Sequence, residues 1–221
     1  MTTKKPGLTA NRRALPTLTR RDFAGALLAA AIVGLSPAGA GAQAASTAQR
    51  IADHFSSVRT MQGEFVQFGP RGEQTSGKFF IERPGKLRFN YDAPSPMRVI
   101  SDGRNVVIGN TRMKTWDLYP LSKTPLSLLL SNRIDLRTKM VRDVKEEADL
   151  TTIVLGDRTI FGQSTITMMF DPKTYELRQW TITDPQAKDT TVMIFNVKTG
   201  VKFDDKVFKV PYDSIRGNTN R

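Results

Sequence analysis

The alternation of apolar and polar residues is sharpest in Lys86-Leu87-Arg88-Phe89-Asn90-Tyr91-Asp92. In an extended chain Leu87, Phe89 and Tyr91 share one face, and Arg88, Asn90 and Asp92 share the other. Similar short stretches surround it, at 61–68, 77–83, 97–101, 105–108 and 112–118. Turn-forming residues separate them: Gly69-Pro70-Arg71-Gly72, Arg83-Pro84-Gly85, Asp102-Gly103 and Gly109-Asn110. Breaks this short join antiparallel neighbours, because a parallel crossover needs a dozen residues or more. A second series is predicted at 137–144, 151–157, 164–170, 176–183 and 190–199, with Asp171-Pro172-Lys173-Thr174 and Asp184-Pro185-Gln186 as turns.

Two stretches break this rhythm. From 47 to 58, Ile51, Phe55 and Val58 recur at helical spacing, Ser46 or Thr47 can cap the start, and Gln49, Arg50 and Asp53 form a polar face with His54 at its boundary. From 124 to 130, Thr124 stands at an N-cap position, Pro125 at the first helical position, and leucines follow. The fold class is therefore mainly β (α+β). A sheet of this kind must cover its apolar face. Curling it and laying the helices over the concave side does so, and leaves a pocket wherever the helices do not fill the curve.

The apolar residues expected on that side are Met61, Phe65, Phe79, Ile81, Leu87, Phe89, Tyr91, Val99, Met113, Met168 and Phe170. Methionine suits a pocket for flexible chains, since its torsions are soft and its sulfur polarizable. The same list also reads as an ordinary core. Arg83 departs from that pattern: it has the parity of Phe79 and Ile81 and so points inward if the strand stays regular. A guanidinium there needs acceptors for its five donors, and backbone carbonyls at helix ends can supply them. The other reading is that Pro84 ends the strand and leaves Arg83 at the rim, in water.

Composition narrows the chemistry. At 221 residues, with 39% hydrophobic and 24% charged, the chain fits one globular domain or at most two small ones. It has no cysteine, which removes disulfides, thiolate metal sites, cysteine nucleophiles and an acylated N-terminal cysteine. His54 is the only histidine, and no serine has a nucleophile-elbow context, so no catalytic site, metal or cofactor is expected. The formal net charge is +12, of which residues 1–42 supply +5 and the rest +7. The basic residues are scattered and no nucleic-acid motif accompanies them.

Residues 1–44 are expected to be a cleaved export signal. Thr19-Arg20-Arg21-Asp22-Phe23 opens a short apolar stretch that runs to Leu35, followed by small residues and two Ala-x-Ala endings, at Ala42 and Ala44. The paired arginines before the apolar core resemble a twin-arginine signal, which predicts a periplasmic protein whose single domain is residues 45–221. An anchoring helix is the alternative, but the apolar part is shorter than the ~20 residues needed to span a bilayer.

With these pieces in place, the chain resembles the LolA family of periplasmic lipoprotein carriers. The resemblance rests on Met61-Gln62-Gly63-Glu64-Phe65-Val66-Gln67, Gly77-Lys78-Phe79, Arg83-Pro84-Gly85-Lys86-Leu87-Arg88-Phe89, Tyr91-Asp92-Ala93-Pro94, Val99-Ile100-Ser101-Asp102-Gly103, Tyr119-Pro120-Leu121 and Thr124-Pro125-Leu126, and closes with Leu177-Arg178-Gln179-Trp180 and Thr190-Thr191-Val192. It implies an unclosed antiparallel β-barrel with helices forming a lid over a hydrophobic cavity. It also implies a monomer that takes acylated lipoproteins from an inner-membrane ABC transporter and passes them to an outer-membrane acceptor. The family's lid-latching arginine falls on Arg83. Leu87 stands where relatives have an aromatic residue, and Gly109-Asn110 where they more often carry an aromatic and an acidic one. A sensor of the same fold, or a carrier of free lipid or another apolar ligand, are the alternatives.

Overall fold

The computed structural model describes residues 39–159 and 162–219. The basic and apolar parts of the expected export signal lie outside them. Among the described residues, eleven strands form one antiparallel sheet. They are β1 (Thr60–Phe68), β2 (Gln74–Glu82), β3 (Lys86–Tyr91), β4 (Met97–Asp102), β5 (Asn105–Asn110), β6 (Thr115–Pro120), β7 (Val141–Glu146), β8 (Thr151–Thr159), β9 (Gly162–Phe170), β10 (Leu177–Thr183) and β11 (Asp189–Thr199). The order is β6-β5-β4-β3-β2-β1-β11-β10-β9-β8-β7. Two meanders therefore meet where β1 pairs with β11, and β6 and β7 remain the outer strands of a sheet that does not close.

Strand parity decides which residues form the core. On β3, Leu87, Phe89 and Tyr91 are buried while Lys86, Arg88 and Asn90 are not. They join inward residues of β1, β2, β4, β8, β9, β10 and β11 in one continuous apolar cluster. Local irregularities interrupt the pairing between β1 and β11, β9 and β10, and β7 and β8. Such insertions bend a strand and raise its twist. At the first, Asn196 adopts φ 53° and the bulge closes on Gly63, where a Cβ would come within 2.8 Å of the Phe195 carbonyl oxygen and 2.9 Å of the Phe79 ring. Only glycine fits there.

Helix α1 (Gly39–Ser57) lies on the inner face, because Ala48, Ile51, Ala52 and Phe55 recur at helical spacing and are all buried. The expected cleavage points after Ala42 and Ala44 fall within its first turns. Val58 follows the helix end and is half-buried against the core. A 3-10 turn (Leu121–Lys123) and a single helical turn, α2 (Leu126–Leu129), continue the cover and bury Leu121, Leu128, Leu129 and Leu130. Thr124 does not cap α2 with its side chain; its hydroxyl donates back to the Leu121 carbonyl at 2.9 Å.

Two stretches differ from the sequence expectation. The strand expected from 137 begins only at Val141; residues 131–140 are irregular, and α1 holds part of them: Gln49 accepts from the Leu136 N–H at 3.2 Å, and the Ser56 hydroxyl accepts from the Ile134 N–H at 3.1 Å. The C-terminal segment covers the outer face. A 3-10 turn (Asp205–Phe208) and α3 (Tyr212–Thr219) bring Val210 and Ile215 against Ile100, Val107 and Trp116 in a second small core.

Candidate functional site

The candidate site is the inner face of the sheet with the helices that cover it. Arg83 is central to it. It follows β2 directly and is only 3% exposed. Its inward parity brings the guanidinium beneath the end of α1, where the last carbonyls of a helix have no intrahelical partner. Nη1 donates to the Phe55 carbonyl at 2.9 Å and to the Val58 carbonyl at 2.6 Å. Nε donates to the Leu129 carbonyl in α2 at 3.4 Å. One side chain thus holds both elements of the cover. The guanidinium carbon also lies 3.8 Å from the centre of the Phe55 ring, a cation–π contact. Nη2 is buried with no partner. Burial lowers the Arg83 pKa to about 10, so it remains charged at neutral pH.

The turn after Arg83 supports this arrangement. Gly85, at φ 79°, donates its N–H to the Leu130 carbonyl at 3.0 Å, and its own carbonyl accepts the Ser101 hydroxyl at 2.7 Å. A Cβ on Gly85 would meet the Cα of Gly103 at 2.7 Å. The tight packing of these two turns fixes where Arg83 leaves the sheet.

Behind Arg83 lies an aromatic interior. Phe65 packs against Phe89 with centroids 4.7 Å apart and edge-on to Tyr91 at 5.1 Å; Phe89 stacks on Trp180 at 6.1 Å; Phe55 meets Phe170 at 5.3 Å. Tyr91 donates its hydroxyl to Gln67 at 2.8 Å, and burial pushes its pKa up to about 12. Met61, Phe65, Phe79, Ile81, Leu87, Phe89, Tyr91, Val99, Met168 and Phe170 all lie in this cluster. Met113 does not. It sits in the turn between β5 and β6, 66% exposed, because the strand expected from 112 begins only at Thr115.

A cavity of about 360 Å³ opens beside Phe55, whose ring Arg83 packs against. Phe55, Met61, Leu177 and Ile194 form its apolar wall, and His54, Tyr175 and Arg178 stand among its polar and aromatic lining residues. His54 meets Tyr175 edge-on at 5.9 Å. The turn between β9 and β10 that carries Tyr175 is organised by Asp171. Its carboxylate accepts from the N–H groups of Lys173 and Thr174 and from Arg178 Nη2, and these bonds hold its pKa down at about 2. Sequence reading missed Trp180, Leu177, Ile194 and Tyr175. Trp180 and Ile194 share inward parity on β10 and β11, so their burial was available in principle, whereas Tyr175 lies in a turn with φ 62°.

Among the described residues, no cluster of three or more His, Cys, Asp or Glu side chains could hold a metal ion. The family model for outer membrane lipoprotein carrier protein LolA matches residues 56–211, which take in all eleven strands, both covering turns and Arg83. The chain belongs to the LolA family. It is 26% identical over 182 residues to an outer-membrane lipoprotein carrier protein of Methylococcus capsulatus, covering 77% of this chain and 86% of that one. Over 86 residues it is 36% identical to the corresponding protein of Alkalilimnicola ehrlichii, covering 37% of this chain and 40% of that protein. A crystal structure of a LolA superfamily protein from Nitrosomonas europaea superposes with a TM-score of 0.41 at 12% identity, covering 75% of this chain and 98% of that one.

Proposed function

We propose that this LolA-family protein is a periplasmic, non-catalytic carrier that takes up the acyl chains of lipoproteins and delivers them toward the outer membrane. In this reading the donor is an inner-membrane ABC transporter, the recipient is an outer-membrane acceptor, the carrier acts as a monomer, and residues 1–44 direct its export. The observation that carries the reading is Arg83: a single buried guanidinium holds α1 and α2 over an aromatic interior through three backbone carbonyls.

The energetics explain why a carrier needs such a device. Each methylene moved from water into the interior gains about 0.8 kcal/mol, so long acyl chains held without opposition would not be released in useful time. The interior is already packed, and the cavity beside the latch offers about 360 Å³. Loading therefore requires α1 and α2 to move off the sheet. That movement parts Arg83 from its carbonyls, and each hydrogen bond to a charged group contributes about 1.5–3 kcal/mol. Closing recovers this energy when the cargo leaves, which lowers the cost of release.

Native mass spectrometry of the protein recovered from periplasm tests the reading. It predicts complexes whose added mass is an intact acylated polypeptide. Adducts of free phospholipid alone would make the interior a store for free lipid and contradict delivery of lipoproteins.

A further inference from the structure

Met113 has the most exposed large apolar side chain among the described residues, at 66%, ahead of Met193 at 45%. The turn that carries it is built, not loose. Asn110 Oδ1 accepts from the N–H groups of Arg112 at 3.1 Å and Met113 at 3.0 Å. Thr111 donates both its N–H and its hydroxyl to the Pro96 carbonyl, and Arg112 Nη2 donates to the Pro94 carbonyl at 3.2 Å. The β5–β6 turn is thereby tied to the neighbouring β3–β4 turn, at the end of the sheet opposite Arg83.

Apolar surface leads from the interior to this tip. Val99 belongs to the core and pairs with Ile108, which is 38% exposed on the same inner face. Met97, two residues before Val99, packs partly on the core and pairs with Asn110, where the turn begins. Arg112 and Lys114 flank Met113, and the segment from Asn110 to Trp116 has no carboxylate. Arg98 follows on the outer face opposite Gly109; the nearest acidic residue on these strands is Asp117, opposite Ile108.

We infer that this hairpin tip is a contact for an anionic bilayer surface. A single apolar side chain between two long basic ones fits such an interface: the methionine enters the boundary of the acyl chains, while the Arg and Lys stems lie along it and their charges reach the headgroups. The net positive charge of the chain acts in the same direction. The contact stands independently of what the interior holds. Under the carrier reading it would set the open end of the sheet against the membrane, so that an acyl chain could pass along Met97 and Ile108 without crossing water.

The absence of cysteine allows a direct test, since a single introduced cysteine takes a bimane label at one place. Met113→Cys and Met193→Cys proteins, recovered from periplasm, are mixed with phosphatidylcholine vesicles bearing brominated acyl chains, with and without phosphatidylglycerol. The expected result is quenching at position 113 only, on the anionic vesicles, and weaker at high salt. In unlabelled protein, Arg112→Gln with Lys114→Gln should weaken vesicle flotation by roughly thirtyfold, and Met113→Asp by about tenfold. Quenching at 193 but not 113, or no binding to either vesicle, overturns the inference. So does vesicle binding without quenching that polyglutamate competes away, since that assigns the tip to an acidic protein partner.

Discussion

The guanidinium of Arg83 lies 3.8 Å from the centre of the Phe55 ring and also donates to the Phe55 carbonyl at 2.9 Å. The same residue of α1 thus holds the arginine by its ring and by its backbone. Truncating Phe55 to Ala removes the ring but keeps the carbonyl. The expected loss of stability in urea unfolding is about 3–5 kcal/mol, the range for a fully buried phenylalanine. Phe55→Leu keeps most of the volume and should cost less than half of that. Equal losses for the two variants would show that the aromatic face matters more than the volume.

The cavity beside Phe55 leads to a second expectation. Ile194→Phe adds bulk to its wall. If this space is where an acyl chain first enters, uptake of an apolar dye should fall about tenfold, the effect of losing about two methylene contacts, with little change in the unfolding midpoint. Undiminished uptake would place the entry elsewhere.

Acid should loosen the same region. The N–H groups of Thr174 and Lys173 and the Arg178 guanidinium stabilise the charged form of Asp171 and depress its pKa from 3.8 to about 2. A carboxylate with a depressed folded pKa stabilises the fold fully above its unfolded value, and loses that contribution as pH falls through the folded value. The wild type should therefore be more stable than Asp171→Asn above pH 4, and the gap should close between about pH 4 and pH 2. Chemical denaturation of both proteins across this interval checks it; a gap independent of pH would contradict the assignment.

How much of this was legible in the sequence depended on whether parity survived to the end of each strand. On β3 it did, and Leu87, Phe89 and Tyr91 are buried as the alternation requires. Arg83 kept the parity of Ile81 although it lies just past the end of β2, since its N–H still pairs with the Arg59 carbonyl at 2.7 Å. Met113 failed because the Asn110 side chain captures two backbone N–H groups and extends the turn to Lys114, at φ 53°. The strand expected from 137 begins only at Val141, because Arg137 and Thr138 bond back to Asp135 and the N–H groups of Ile134 and Leu136 are taken by α1, distant in sequence. The C-terminal cover was missed because Ile100 and Val107 have outward parity and are buried only by a segment that follows all the strands.

Export supplies a test separate from the fold. If residues 1–44 act through the twin-arginine route, Arg20→Lys together with Arg21→Lys should leave the protein in the cytoplasm, uncleaved, as read by fractionation and N-terminal sequencing. Normal export of the double variant would rule out that route.

In the proposed carrier cycle Arg83 balances loading against release. Arg83→Leu removes the donors to Phe55, Val58 and Leu129 and adds apolar surface beneath them. Arg83→Lys keeps the charge but cannot reproduce the planar fork. The decisive measurement is transfer of a labelled lipoprotein from the loaded carrier to a purified outer-membrane acceptor. Both variants are expected to fold and take up lipoprotein, and to hand it on at least about tenfold more slowly, the effect of one lost charged hydrogen bond. Transfer at the wild-type rate by both variants would contradict it.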